Sequence, residues 1–241
     1  MVLHSAVGYL GSAGRPLTLD LRMDSRRNVC RVGAFEVGQL AEALYGGYMS
    51  HAGIGNLIAH PSGSAAIERL EAECQGPASA PIASVLRKDG TSIWYSLSHY
   101  LRQSTARRFS EMFERVWLGG ALLTLGDALD AEGYFDKGPD LQVVRHLRNG
   151  IAHGNRFYFR NGEPRRPARF TGPQQRLMSD GVTSTPVGDA ITFEITPGLH
   201  GQEVLFNFMG AGDVCDLLQF VGVRLTRMGN GDPPIELFRQ A

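Results

Sequence analysis

The stretch "VWLGGALLTLGDALDAEGYFDKGPDLQVVRHLRNGIAHGN", residues 116–155, decides the fold. It holds the end of one long amphipathic pattern, a short connection, and a second amphipathic pattern with a clear stop. From about Thr105 to Ala131 the residues Phe109, Met112, Phe113, Val116, Trp117, Leu122, Leu125, Ala128 and Leu129 recur at three- and four-residue spacing. That spacing predicts a helix with a broad buried stripe. "EGYFDKGPD" (132–140) reads as the connection, and Pro139 suits the first turn of the next helix. The second helix runs to about His153 and stops near Gly154 and Asn155, both good C-terminal residues. At about 100° per residue, Leu141, Val143, Val144, Leu147 and Ile151 fall on one side of it. Gln142, Arg145, His146, Asn149 and His153 fall on the other, with Arg148 at the border.

Working outward, "AGDVCDLLQFVGVRLTRMG" (211–229) predicts a closing helix with Val214, Leu217, Leu218, Val221 and Leu225 on one face. Between the helices, "RFYFR" (156–160) with the turn "NG" suggests a hairpin or extended loop, and "AITFEI" (190–195) and "EVLFNFM" (203–209) read as strands. Towards the N-terminus, "LTLDLRM" (17–23) alternates with period two and predicts a half-buried strand, with "VCRV" (29–32) as a second. Residues 34–49 are spaced for a helix on Phe35, Leu40, Leu44 and Tyr48; 46–64 read as a Gly-, Ser- and His-rich loop; Ser64 could cap a helix to Cys74. "RKDG" (87–90) is read as the turn of a short hairpin within 82–97. The expected fold is therefore mainly α, with a β-rich N-terminal part (1–80) and, within 81–241, a β insertion at about 156–210 before the last helix.

Composition limits the function classes. At 241 residues, with 43% hydrophobic and 20% charged residues, the chain is globular in type and has room for a sizeable core. Its formal net charge is zero, so any polyanion would have to be met locally. Residues 145–176 offer such a place: eight arginines and a single acid, Glu163. Arginine suits bidentate phosphate contact, although a loop balanced by acids folded nearby reads equally well. Three scattered cysteines, no secretory leader pattern and an apolar run at 116–125 too short for a bilayer point to a cytoplasmic protein with no membrane association. "HAGIGNLIAH" (51–60) lacks the third glycine of a dinucleotide fingerprint, and no Walker A, HExxH or GxSxG pattern occurs, so no cofactor and no metal are expected.

The end of the second helix carries the chemistry. One fixed cation, Arg148, stands near one titratable base, His153, with Asn149 between them. Such a pair suits RNA cleavage by the 2′-hydroxyl: an imidazole takes the proton, and a guanidinium offsets charge on the pentacoordinate phosphorus. Arg148-Asn149-x-x-x-His153 resembles the R-N-x-x-x-H form of the Rx4-6H motif of HEPN domains. The surroundings are similar too: Leu147 before the Arg, Ile151-Ala152 before the His and Gly154 after it. A bare R-x4-H is expected about 0.6 times by chance in such a chain, and about 0.02 times once Asn must follow the Arg. The resemblance spans residues 98–157 and less securely 211–229. It implies a bundle of four or five helices, often homodimeric, and in many members a metal-independent endoribonuclease of toxin–antitoxin, abortive-infection or phage-defence systems, held off by an antitoxin or other inhibitory protein. It assigns catalysis to Arg148 and His153, with Asn149 supporting. Arg145, His146, Arg156 and Arg160 would extend the RNA-binding surface. Asn155 stands where some members carry a modifiable Tyr. The rival reading is a catalytically inactive HEPN-like dimer that binds RNA, a nucleotide or a partner protein. An unrelated protein without an RNA role is the reading to prefer if Arg148 is buried in an ion pair.

Overall fold

The computed structural model describes residues 21–74, 84–95, 97–104, 107–160, 162–172, 175–177, 184–186 and 191–232. In chain order they form α1 (Leu21–Ala59), α2 (Pro61–Cys74), β1 (Ser84–Leu86), β2 (Ser92–Trp94), α3 (Leu97–Ser104), α4 (Arg107–Ala131), α5 (Pro139–Ala152), β3 (Arg169–Thr171), β4 (Gln175–Leu177), β5 (Ser184–Pro186), β6 (Thr192–Glu194) and α6 (Ala211–Asn230), with 3-10 turns at Phe135–Lys137 and Pro197–Leu199. The fold is mainly helical, as the periodicity predicts. Among the described residues no helix is long and apolar enough to cross a membrane.

The N-terminal part differs from the expectation. Over the described residues it is helical rather than β-rich: 21–23 and 29–32, read as strands, lie in α1, and 17–20 lie outside the described residues. No proline occurs between Leu21 and Ala59, so nothing stops the helix. The buried stripe is Ala34, Val37, Ala41 and Tyr48, while Phe35 is exposed. These small residues let α1 lie close along α6. A Cβ on Gly38 would come within 2.4 Å of the Thr226 backbone nitrogen, and one on Gly222 within 3.1 Å of the Glu42 nitrogen. Thr226 Oγ1 donates to Glu42 Oε1 across this contact (3.0 Å). The segment 46–64, read as loop, is the end of α1 and the start of α2. Gly46, Gly47, Gly53 and Gly55 each cost a helix only about 1 kcal/mol relative to Ala, and Gly47 leaves room for the Trp117 indole, which a Cβ would meet at 2.7 Å. The RKDG hairpin is present as β1 and β2, antiparallel with Val85 opposite Ile93. The Gly- and Pro-containing stretch "GPASAP" (76–81) lies outside the described residues.

Ala34, Val37, Ala41 and Tyr48 of α1 belong to one hydrophobic cluster with Leu118, Leu122, Leu125 and Leu129 of α4, Leu141, Val144 and Leu147 of α5, and Val214, Leu218, Val221 and Leu225 of α6. The α4 stripe is buried only in its second half; Met112 and Val116 are 60% and 74% exposed. Of the β segments, β3 pairs antiparallel with β6, Phe170 opposite Phe193. The strand expected at 203–209 is not formed. Phe206 has φ 72°, which a strand cannot contain, and the segment makes only isolated bridges, Arg156–Glu203 and Leu205–Met209.

Helix α5 is the centre of this arrangement, and its polar side is not open. Gln142 and His146 are 3% and 4% exposed. Residues 156–160 and 162–170 bring the buried Phe157, Ala168 and Phe170 and the partly buried Phe159 into the same core. The expectation of His146 on an open RNA-binding surface is therefore corrected. Gln142 meets the burial requirement by donating to the Phe135 carbonyl (2.8 Å).

Candidate functional site

The end of α5 is built by its turn. His153 is the C-cap, and Gly154 and Asn155 follow with φ 77° and 64°. Two left-handed residues in succession reverse the chain, so that the Arg156 N–H reaches the Gly150 carbonyl (3.0 Å). Asn155 holds the reversal in place. Its Oδ1 accepts from Leu205 N–H (2.8 Å) and its Nδ2 donates to the Leu205 carbonyl (3.3 Å). Asn tolerates this backbone region better than most residues. Position 155 is thus a structural hinge of the turn.

Arg148 leans from α5 onto α4. Its stem lies over Gly126, where a Cβ would meet Arg148 Cγ at 2.4 Å. Nε and Nη2 both donate to Asp127 Oδ1 (2.9 and 2.6 Å), and Nη1 donates to Asn149 Oδ1 (3.2 Å). The side chain remains 35% exposed and that of Asp127 61%. The ion pair is therefore at the surface, where water and salt screen it. Asn149 orients Arg148 directly.

His153 is exposed. Its ring lies 5.2 Å from that of Tyr158, which is 55% exposed, and Tyr158 lies 5.6 Å from His200. The Phe159 N–H donates to His200 Nδ1 (3.1 Å), so a neutral His200 carries its proton on Nε2. Three flat rings, His153, Tyr158 and His200, thus line one stretch of surface. Stacking on such rings is how single-stranded nucleic acid is commonly held. Arg148 and His153 share the helix end but have different neighbours, α4 for the guanidinium and Tyr158 for the imidazole. Arg156 is tied to the far loop, donating to the Gly201 carbonyl (2.8 Å) and to Glu203 Oε1 (3.4 Å).

The other residues singled out in the sequence meet elsewhere. Arg145, His146 and Arg160 line a cavity of about 430 Å³ together with Asp136, Glu163, Arg165 and Arg166. Arg166 pairs with Asp136, and Glu163 Oε2 accepts from the Arg160 backbone N–H (3.0 Å). Burial pushes the His146 imidazole pKa below its ordinary 6.5. The nearby Arg145 charge adds to this, and Glu163 opposes it. The ring meets Phe159 edge to face at 5.5 Å. Among the described residues no three His, Cys, Asp or Glu side chains gather closely enough to hold a metal ion.

Sequence reading missed Asp127, His200 and the cavity's Asp136. Asp127 had one usable signal: in two antiparallel helices joined by a short connection, residues counted back from the end of the first face residues counted on from the start of the second, as Gly126 faces Arg148 and Gly119 faces Ile151. His200 had none, because it arrives from a loop 47 residues after His153. Comparison with protein-family models, with curated proteins and with solved structures finds no match.

Proposed function

We propose that this chain is a metal-independent endoribonuclease of the HEPN type, with Arg148, Asn149 and His153 as its reaction site. The observation that carries the reading is the exposed His153 imidazole beside exposed Tyr158, five residues from a guanidinium that Asp127 and Asn149 hold in one orientation. In this reaction His153 takes the proton of a ribose 2′-hydroxyl. The oxygen attacks the adjacent phosphorus, and the P–O5′ bond breaks. The proton is returned, through solvent or the imidazolium, to the departing 5′-oxygen. The products are a 2′,3′-cyclic phosphate and a 5′-hydroxyl. Arg148 offsets charge on the pentacoordinate state, and a base on Tyr158 would hold the strand. The resemblance adds a homodimer with both helix ends at one cleft, a cytoplasmic setting, a toxin or phage-defence role, and an inhibitory partner protein. Incubation of single-stranded RNA with purified protein in EDTA, followed by end analysis, tests the chemistry. Cyclic phosphate ends are expected; 3′-hydroxyl ends would refute this mechanism.

One observation favours the second reading, a binding protein without turnover. Two of the Arg148 donor atoms already serve Asp127, as in a helix-pairing ion pair. Salt-sensitive RNA binding with intact RNA recovered would support that reading.

A further inference from the structure

The cavity beside α5 is separate in its residues from the reaction site just proposed, and we propose that it binds a phosphomonoester dianion on a nucleotide-sized ligand. This goes beyond the nuclease reading and does not rest on it. Charge is the first argument. Four guanidinium groups (Arg145, Arg160, Arg165 and Arg166) meet two carboxylates (Asp136 and Glu163) around one space, and burial holds His146 towards its neutral form. The space is left with an excess of about two positive charges, which a phosphomonoester neutralises and a phosphodiester, with one charge, does not. Geometry is the second. Asp136 occupies Arg166, whereas no carboxylate among the described residues pairs with Arg145, Arg160 or Arg165. Their forked donors therefore remain for a ligand. His146 is the third. It is 4% exposed, lines the cavity, and is held edge to face against Phe159. Its ring nitrogens, one a donor and one an acceptor in the neutral form, give the wall of the cavity a polar group that a ligand can meet. The volume, about 430 Å³, exceeds that of phosphate alone and lies in the range of small-molecule sites.

The same chemistry occurs at the 5′-phosphorylated end of an RNA and in a free nucleoside monophosphate, and titration calorimetry on the full chain separates them. The probes are inorganic phosphate, AMP, adenosine, and a tetranucleotide with either a 5′-phosphate or a 5′-hydroxyl. Inorganic phosphate and AMP are expected to bind and adenosine not. Arg160→Gln and Arg165→Gln, both at exposed positions and checked for an unchanged melting profile, are each expected to weaken AMP about tenfold or more, as the loss of a charge-assisted contact does. His153→Ala is expected to leave AMP binding unchanged, which keeps this site distinguishable from the nuclease reading. AMP bound more tightly than the phosphorylated tetranucleotide supports the free nucleotide as the source, and the reverse order supports the RNA end. No binding of phosphate or AMP at millimolar concentration, binding of the 5′-hydroxyl tetranucleotide as tight as that of both AMP and the phosphorylated tetranucleotide, or AMP binding indifferent to both substitutions would each overturn the proposal.

Discussion

Replacing Gly126 by Ala tests how Arg148 is held, because it moves the arginine without removing it. A Cβ at 126 would lie 2.4 Å from Arg148 Cγ and 2.7 Å from Arg148 Cβ. Comfortable carbon contacts are about 3.5–4.0 Å, and the Arg148 Cβ is fixed to α5, so the helices must part or the side chain must leave its place. Overpacking of this kind costs about 1–3 kcal/mol. The same substitution gains about 0.8–1 kcal/mol of helix propensity. The expected sum is a loss of about 0–2 kcal/mol. Gly120 on the same helix is the internal control: it is exposed, and its added Cβ meets nothing within 4 Å among the described residues. Gly120→Ala should therefore show the propensity gain alone, a rise in Tm of about 2–4 °C for a chain of this size. Urea titrations of the parent and both variants, read at equal slope, give the difference directly. Gly120→Ala should exceed Gly126→Ala by about 1–3 kcal/mol. If both variants are stabilised equally, Arg148 does not pack on α4, and the orientation assigned to it through Asp127 and Asn149 falls. Under the nuclease reading Gly126→Ala also slows RNA cleavage, since the guanidinium is displaced while His153 is untouched.

The remaining predictions concern the frame around the site. His146 has its pKa lowered by burial, so the unfolded chain binds a proton that the folded chain refuses. The associated stability is intact above about pH 6.5 and is lost as the pH falls below it; His51 shifts in the same direction. Denaturation midpoints at pH 7.5 and 5.5 should differ less in His146→Gln than in the parent, and an unchanged difference would contradict the burial argument. Asn155→Ala removes two side-chain hydrogen bonds and places a Cβ-bearing residue without them at φ 64°, a loss of about 2–4 kcal/mol. Asn155→Gly relieves the backbone part and should lose less; equal losses in urea would show that strain plays no role. Asp140, buried in the first turn of α5, pairs with Arg224 of α6 while its Oδ2 has no partner among the described residues. Arg224→Met leaves that carboxylate alone and should cost about 3–5 kcal/mol. Adding Asp140→Asn should recover part of this, and no recovery in the double variant would argue against the pairing.

The helical part of the fold was legible where the apolar spacing was set by a single neighbour. Helices α4, α5 and α6 follow their patterns closely, and Pro139 and Gly154 mark the ends of α5 as their backbone preferences require. Helix α1 was legible only over 34–49, because its packing face includes Ala34, Gly38 and Ala41, which carry almost no hydrophobic signal. Close approach to α6, rather than bulk, holds it there. Gly46, Gly47, Gly53 and Gly55 and the alternation at 17–23 then pointed to loop and strand. The first half of α4 misleads in the opposite sense: Met112 and Val116 fit the stripe, yet both are exposed among the described residues. At the site, the sequence indicated which residues share the α5 polar side but not what folds over it. Phe159, Arg160 and residues 163–166 fold over His146 and divide that side in two, leaving His153 in solvent and placing Arg145 and Arg160 at a cavity. Nothing in the local pattern of 140–153 encodes a cover that arrives from outside it.

Cleavage of a single-stranded RNA in EDTA by the parent and by His153→Ala, prepared in parallel, tests the nuclease reading most directly. A positioned general base is worth about 10²–10⁴ in rate, and a loss of that order is predicted with the fold unchanged by circular dichroism. Cleavage by His153→Ala at the parental rate would contradict it.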